Sequence, residues 1–213
     1  TTSGEAAADR LAAVQERLGD CERRLGLAST RLDALSRMHQ SGAGLHAGVR
    51  EVMAASARGA LAGVLGTIAE LIETEAELET ALEVALGGHL QDIVVERWAE
   101  AEAAIAHLKR TKTGRATFQP LDTVRGGRGR DHRADPALRL PGSRGLASDL
   151  VRAETRVRPV VEALLGRTLI VEDLPSARQA LPHLPGGWSA VTLAGEIARS
   201  GGSVTGGVAT RES

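Results

Sequence analysis

The 213-residue chain is poor in aromatics and lysine: Trp98, Phe118 and Trp188 are the whole aromatic complement, tyrosine is absent, and only Lys109 and Lys112 accompany 24 arginines. A core must therefore be made of Leu, Val, Ile and Ala, and the rows of exposed aromatics that stack single-stranded bases are nearly excluded. Cys21 is the single cysteine, so no intrachain disulfide and no cysteine-based zinc site can form, which fits a reducing, cytoplasmic setting. No apolar run approaches the length of a membrane-spanning helix, and no signal peptide opens the sequence. The absence of an initiating methionine is read as the mark of a segment from a longer protein. What remains is ordinary for a folded domain, with 42% apolar and 25% charged residues and a formal net charge of −1.

The clearest pattern lies in residues 1–40. Leu11, Val14, Leu18, Cys21, Leu25, Ala28, Leu32 and Leu35 alternate spacings of three and four, an a/d heptad seam. Arg17, Arg24 and Arg31 fall at g, and Gln15, Glu22 and Ser29 at e. A lone amphipathic helix packed on its own domain would widen this stripe toward a 3.6-residue period, so a coiled-coil strand is the favoured reading. No second heptad run follows, so the partner strand lies outside this sequence. Ser41-Gly42-Ala43-Gly44 ends the helix.

From residue 46 onward helix and strand signals alternate. Helices are expected at 49–57, 75–86, 98–109, 150–165 and 175–181, and strands at 63–68, 90–95, 116–121, 168–171 and 190–193. The stretch 122–145, rich in Gly, Arg and Pro, reads as a linker. The segment 83–96 is echoed by 162–172: a helix ending Glu-x-Ala-Leu-Gly or Glu-Ala-Leu-Leu-Gly, a valine-type strand closing in Val-Glu, then an alanine-lined helix. This order implies two related lobes, 46–121 and 146–208, in an α+β fold, with 209–213 beyond them.

Catalytic signatures are missing. Neither lysine sits in a G-x-x-x-x-G-K-[ST] loop, and the histidines at 39, 46, 89, 107, 132 and 183 show no metal-ligand spacing. His107 is expected at the surface or half-buried, and Glu70, Glu73, Glu75, Glu77, Glu79 and Glu83 are expected on a solvated helical face. The run Ser200-Gly201-Gly202-Ser203-Val204-Thr205-Gly206-Gly207 lacks the lysine of a phosphate loop; its glycines allow positive φ and close backbone approach. Charge is unevenly spread. Residues 59–96 carry eight acids and no Lys or Arg, whereas 109–133 carry eight cations against two acids. The second block attracts polyanions without regard to base sequence, or else merely solvates a loop.

Three stretches together resemble the hinge domain of SMC (structural maintenance of chromosomes) proteins of prokaryotic type. They are Ala81-Leu82-Glu83-Val84-Ala85-Leu86-Gly87-Gly88-His89-Leu90-Gln91-Asp92-Ile93-Val94-Val95, Gly114-Arg115-Ala116-Thr117-Phe118-Gln119-Pro120-Leu121 after the 104–109 helix, and Val191-Thr192-Leu193-Ala194-Gly195-Glu196 with the closing glycine run. The resemblance implies two pseudo-symmetric lobes, no catalysis and no cofactor in this domain, and a homodimer formed with a second copy. It places a coiled-coil arm at 1–40, a return arm after Gly207, and ATPase heads elsewhere in a full-length protein that condenses and segregates chromosomes. It implies that Gly201, Gly202, Gly206 and Gly207 lie at the dimer interface, and that Lys109, Arg110 and Lys112 are the foremost DNA contacts. Arg125, Arg128 and Arg130 join them on charge alone, and Arg115 is read as anchoring its strand. Competing readings are a small phosphate-ligand or nucleotide-binding domain and a dimerisation module without DNA contact.

Overall fold

The computed structural model describes residues 45–126 and 131–207, together with Gly19 as a helical position. The heptad seam Leu11, Val14, Leu18, Cys21, Leu25, Ala28, Leu32 and Leu35 lies outside the described residues, as do Arg128, Arg130 and residues 209–213. Residues 46–213 form one unit by their contacts, separate from 1–45.

The first half opens with α1 (Ala47–Ala57), followed by β1 (Val64–Thr67), the short α2 (Ile68–Leu71) and β2 (Ile72–Glu73). A 3-10 turn leads into α3 (Glu79–Leu86); β3 (Ile93–Val95), α4 (Trp98–Thr111) and β4 (Phe118–Pro120) complete it. The second half runs α5 (Asp135–Leu138), β5 (Ser143–Leu146), β6 (Arg152–Ala153), α6 (Arg158–Leu165), β7 (Thr168–Val171), α7 (Leu174–Ala180), β8 (Ser189–Thr192), β9 (Ile197–Arg199) and β10 (Val204–Thr205). The sheets are β1-β3-β4, β10-β9-β8-β7-β5, and the small pair β2-β6, which ties one half to the other.

The halves repeat each other at the level of the backbone. In each, an edge strand runs antiparallel to a central one (β1 to β3, β5 to β7), and a helix then crosses over to a parallel neighbour (β3 to β4, β7 to β8). Both edge strands bulge at a glycine, Gly66 at φ 147° and Gly145 at φ 126°, a backbone that glycine adopts without penalty. Three hydrogen bonds recur between equivalent positions: Ile68 N–H to Asp92 O and Ala147 N–H to Thr168 O, Glu96 N–H to Gly63 O and Glu172 N–H to Gly142 O, and Leu121 N–H to Val95 O and Leu193 N–H to Val171 O. Gly63 and Gly142 are 79 residues apart, whereas Val95 and Val171 are 76 apart. The three-residue difference is absorbed by the 3-10 turn Gly87–Gln91, for which the second half has only Gly166 and Arg167 before its strand.

The central strands are buried on both faces, which accounts for their unbroken apolar runs. Val94, Ile170 and Val191 point into a core shared by both halves, with Ile68, Leu82, Val160 and Val161. Leu169, Val171 and Ala190 point the other way, toward Ala177, Ala180 and Trp188. Helices α3 and α6 pack on each other across the shared core, and Arg144 reaches from β5 to Glu77 at 2.8 Å.

Three expectations are corrected. The 122–145 stretch is not a featureless linker, for it holds a 3-10 turn at His132–Ala134, α5 and the start of β5. The expected helix at 150–165 begins only at Arg158. The chain before it is taken by β6, and the Arg158 guanidinium donates to the carbonyls of Ser148 and Val151 while Pro159 starts the helix. The six glutamates do not share one helical face: they are spread over α2, β2, the 3-10 turn and α3, and Glu70 accepts from Thr67 N–H at 2.9 Å in a capping box.

One core for two halves means one unfolding transition. In a Trp98→Phe background, fluorescence of the buried Trp188 and far-UV circular dichroism are expected to give the same urea midpoint. Ile170→Ala should lower both midpoints together, by the amount that a loss of about 3 kcal/mol of stability produces. Separate midpoints would show that the halves melt independently.

Candidate nucleic-acid and self-association surfaces

Helix α4 starts at Arg97, whose own side chain does not cap it: the Trp98 N–H donates to Asp122 Oδ1 at 2.9 Å, and the Arg97 guanidinium donates to Glu100 at 2.6 Å and 3.0 Å. Its alanine face, with Ala101, Ala104 and Leu108, is buried, and α1 packs against it. That contact is close enough to require glycine: a Cβ on Gly48 would lie 2.3 Å from the carbonyl oxygen of Arg115, and one on Gly114 would lie 3.1 Å from Gly48 N. Arg115 thus touches α1 through its backbone, while the residue itself is exposed and precedes β4.

Lys109 and Arg110 occupy the last turn of α4, where the helix dipole favours cations. Lys112 caps it in the left-handed conformation at φ 55°, the one non-glycine residue with positive φ among the described residues. Lys109, Arg110 and Lys112 are exposed and lie together on one end of the domain. Beside them an open cleft of about 610 Å³ is lined by Ala47, Arg50, Glu51, Lys112, Thr113 and Gly114. Arg125 is elsewhere, in a cleft of about 900 Å³ with Asp131, Arg133, Asp149, Glu162 and Arg167. There the Arg133 guanidinium is held by Asp131 at 2.8 Å and 2.9 Å, so this cleft has balanced charge. Among the described residues, the cations of 109–133 therefore occupy two separate places: Lys109, Arg110 and Lys112 at the α4 terminus, and Arg125 and Arg133 in the cleft with Asp131, Asp149 and Glu162.

His107 is buried at 9% exposure, contrary to expectation, because it is the link between α1 and α4. Its Nε2 lies 2.7 Å from Glu51 Oε1, and its Nδ1 lies 2.9 Å from Arg110 Nη2. A guanidinium can only donate, so Nδ1 accepts and the proton sits on Nε2, directed at Glu51. Glu51 is also approached by Arg58 at 3.4 Å. The hydrogen bond from His107 holds the Glu51 carboxyl below its ordinary range, with the Arg58 charge adding to the effect. No spacing in the sequence announces this relay, since its members are 56 residues apart and only tertiary packing joins them. Asp92 is also buried, bonded locally to His89 Nδ1 and, from 27 residues away, to Gln119 Nε2, each at 2.8 Å. Trp98 is 55% exposed, but its indole N–H is taken by Glu102 at 2.8 Å, with acidic neighbours that do not suit a base-stacking platform.

The glycine run closes the second half. Gly201 and Gly202 form the turn between β9 and β10, with Gly202 at φ 95° donating to Arg199 O at 2.8 Å. A Cβ on Gly201, Gly202 or Gly207 would meet nothing within 4 Å, whereas one on Gly206 would lie 2.8 Å from Glu196 Cγ. Strand β10 pairs only with β9, so its outer edge is unpaired among the described residues, and Val204 on it is 57% exposed. No helix among the described residues is long and apolar enough to cross a membrane, and these residues hold no cluster of three or more metal-ligating side chains.

Residues 61–181 match the family model of the SMC proteins flexible hinge domain. The chain is 39% identical over 173 residues to the chromosome partition protein Smc of Halothermothrix orenii, covering 81% of this chain and 14% of that protein. Among solved structures it resembles an asymmetric dimer of the Geobacillus stearothermophilus SMC hinge domain, with TM-score 0.78 and 38% identity over 87% of this chain and 73% of that one. The Pyrococcus furiosus SMC hinge domain is similar with TM-score 0.57 and 31% identity, over 76% of this chain and 90% of that one.

The lowered carboxyl of Glu51 gives a pH signature. A depressed carboxylate contributes stability that is present above its unfolded pKa and lost as the pH falls through the folded one. Glu51→Gln is therefore expected to be less stable than wild type at neutral pH, with the difference closing in acid. Urea midpoints at both pH values check this; a gap that does not change with pH would mean that the charge of Glu51 plays no part.

Proposed function

The chain belongs to the SMC flexible hinge family, and from that premise we propose that it is the dimerisation hinge of a longer SMC protein. In this reading residues 46–121 and 146–208 are its two lobes, 1–40 supply one coiled-coil arm, and the return arm follows residue 208. The chain spans about 14% of the length of the Halothermothrix relative, so the ATPase and the chromosome-partitioning activity belong to the whole protein. The hinge itself is a structural module in a protein of the cytoplasm and nucleoid, without cofactor.

The unpaired outer edge of β10 carries the proposal. An exposed row of backbone donors and acceptors is a template for another strand, and natural domains cover such edges unless they use them. Gly201, Gly202, Gly206 and Gly207 flank that edge and present no side chains, leaving room for the backbone of a second copy. The Lys109, Arg110 and Lys112 cluster supports weak, sequence-independent DNA binding, which would be driven by counterion release. Arg125 is a secondary contact at most, because it lies in the charge-balanced cleft, and Arg128 and Arg130, outside the described residues, join the surface by sequence charge alone.

Light scattering across a concentration series is expected to give a dimer, twice 22.2 kDa. Gly201→Ala is the clean probe, because its Cβ meets nothing within the subunit. Together with Val204→Glu it should yield a folded monomer, while a dimer that survives both changes would move the interface elsewhere. In gel shifts with duplex DNA, the triple charge reversal K109E/R110E/K112E should abolish binding at moderate salt. The wild-type dependence of log K on log salt should exceed that of any residual binding by about 2.7, three contacts at roughly 0.9 each.

A further inference from the structure

In a chain with 24 arginines, both lysines fall within one turn of each other, at the end of α4. The helix dipole does not explain the choice, since arginine serves a helix C-terminus equally well. Side-chain length does not explain it either, because Lys109 and Lys112 are both exposed and have room for a guanidinium. The arginine between them is treated differently: one Nη of Arg110 is tied back to His107 Nδ1, and His107 is itself held by Glu51. No hydrogen bond or ion pair engages either ammonium group among the described residues. The end of α4 therefore presents free amines and restrains its guanidinium.

The two cations bind phosphate differently. A guanidinium forms a planar fork that grips two oxygens at once, and the pair must break together for the contact to move. An ammonium is a compact point charge on a flexible stem, and it can pass from one phosphate oxygen to the next without losing a paired geometry. Resting on the reading of this surface as a DNA contact, we infer that the α4 terminus is built for exchangeable contact with the phosphate backbone. Lys109 and Lys112 make the moving contacts, while Arg110, with one Nη engaged by His107, adds a positionally restrained charge beside them.

The test compares the wild-type chain, K109R/K112R and K109E/R110E/K112E. Each is checked for native circular dichroism and then mixed with a short fluorescently labelled duplex at fixed moderate salt. Stopped-flow dissociation into excess unlabelled duplex is the readout. K109R/K112R keeps the charge and is expected to release DNA at least about threefold more slowly than wild type, with a correspondingly lower Kd. If K109R/K112R releases DNA as fast as wild type while the charge reversal abolishes binding, the exchangeable-contact inference is overturned and the DNA surface stands. If the charge reversal binds as wild type does, the surface itself is misplaced and the inference falls with it.

Discussion

Everything in the domain is organised around the burial of three short strands, β3, β7 and β8, on both of their faces. Each is only three or four residues long, so each offers few backbone hydrogen bonds and must draw its stability from side chains packed above and below. Val94, Ile170 and Val191 meet in one core from two different sheets, which makes neither sheet complete without the other. That single constraint fixes where α3 and α6 can lie. It also leaves α1 and α4 on the opposite side of the first sheet, with the basic end of α4 directed to solvent.

With so few aromatics, the core is filled by small branched residues and alanines, and close approach replaces bulk. The contact of α1 with the chain after α4 depends on Gly48 meeting the carbonyl of Arg115, a separation that no side chain would permit. The Glu51–His107–Arg110 relay then pins the same two helices by polar contacts at a partly buried site. Packing and hydrogen bonding thus act on one interface, and the position of the cations at its rim follows from both.

Much of this was legible in the residues. The strands at 168–171 and 190–193 and the helices at 98–109 and 175–181 carry local signals strong enough to survive packing, and the structure has them with small shifts. The repeat was visible because its punctuating glycines and valine runs kept their order. What escaped reading depends on partners remote in sequence. Residues 150–157 look helical by composition, but Arg152 and Ala153 are paired to β2, residues 155–157 make a turn closed on the Glu154 carbonyl, and the Arg158 guanidinium holds the carbonyls of Ser148 and Val151. The 122–145 stretch has little periodicity, yet Ala134 and Ala137 are buried under the second half. His107 reads as a surface or half-buried residue because nothing near it in sequence foretells Glu51. The basic block reads as continuous along the chain, and folding divides its described members between the end of α4 and a cleft where Asp131, Asp149 and Glu162 match Arg125, Arg133 and Arg167.

The doubled backbone pattern also bears on descent. The two halves keep the same bulge glycines and the same strand-closing hydrogen bonds. They solve the start of their crossover helices differently, by the local Asp173 accepting from Ser176 N–H in one and by the remote Asp122 accepting from Trp98 N–H in the other. Selection on such a pair of modules acts on the geometry of the chain and tolerates wide exchange of the side chains that achieve it. A duplicated ancestor would then drift until only glycines and buried aliphatics still testify to kinship. The three extra residues of the turn at 87–91 are the trace by which one copy can be told from its sibling.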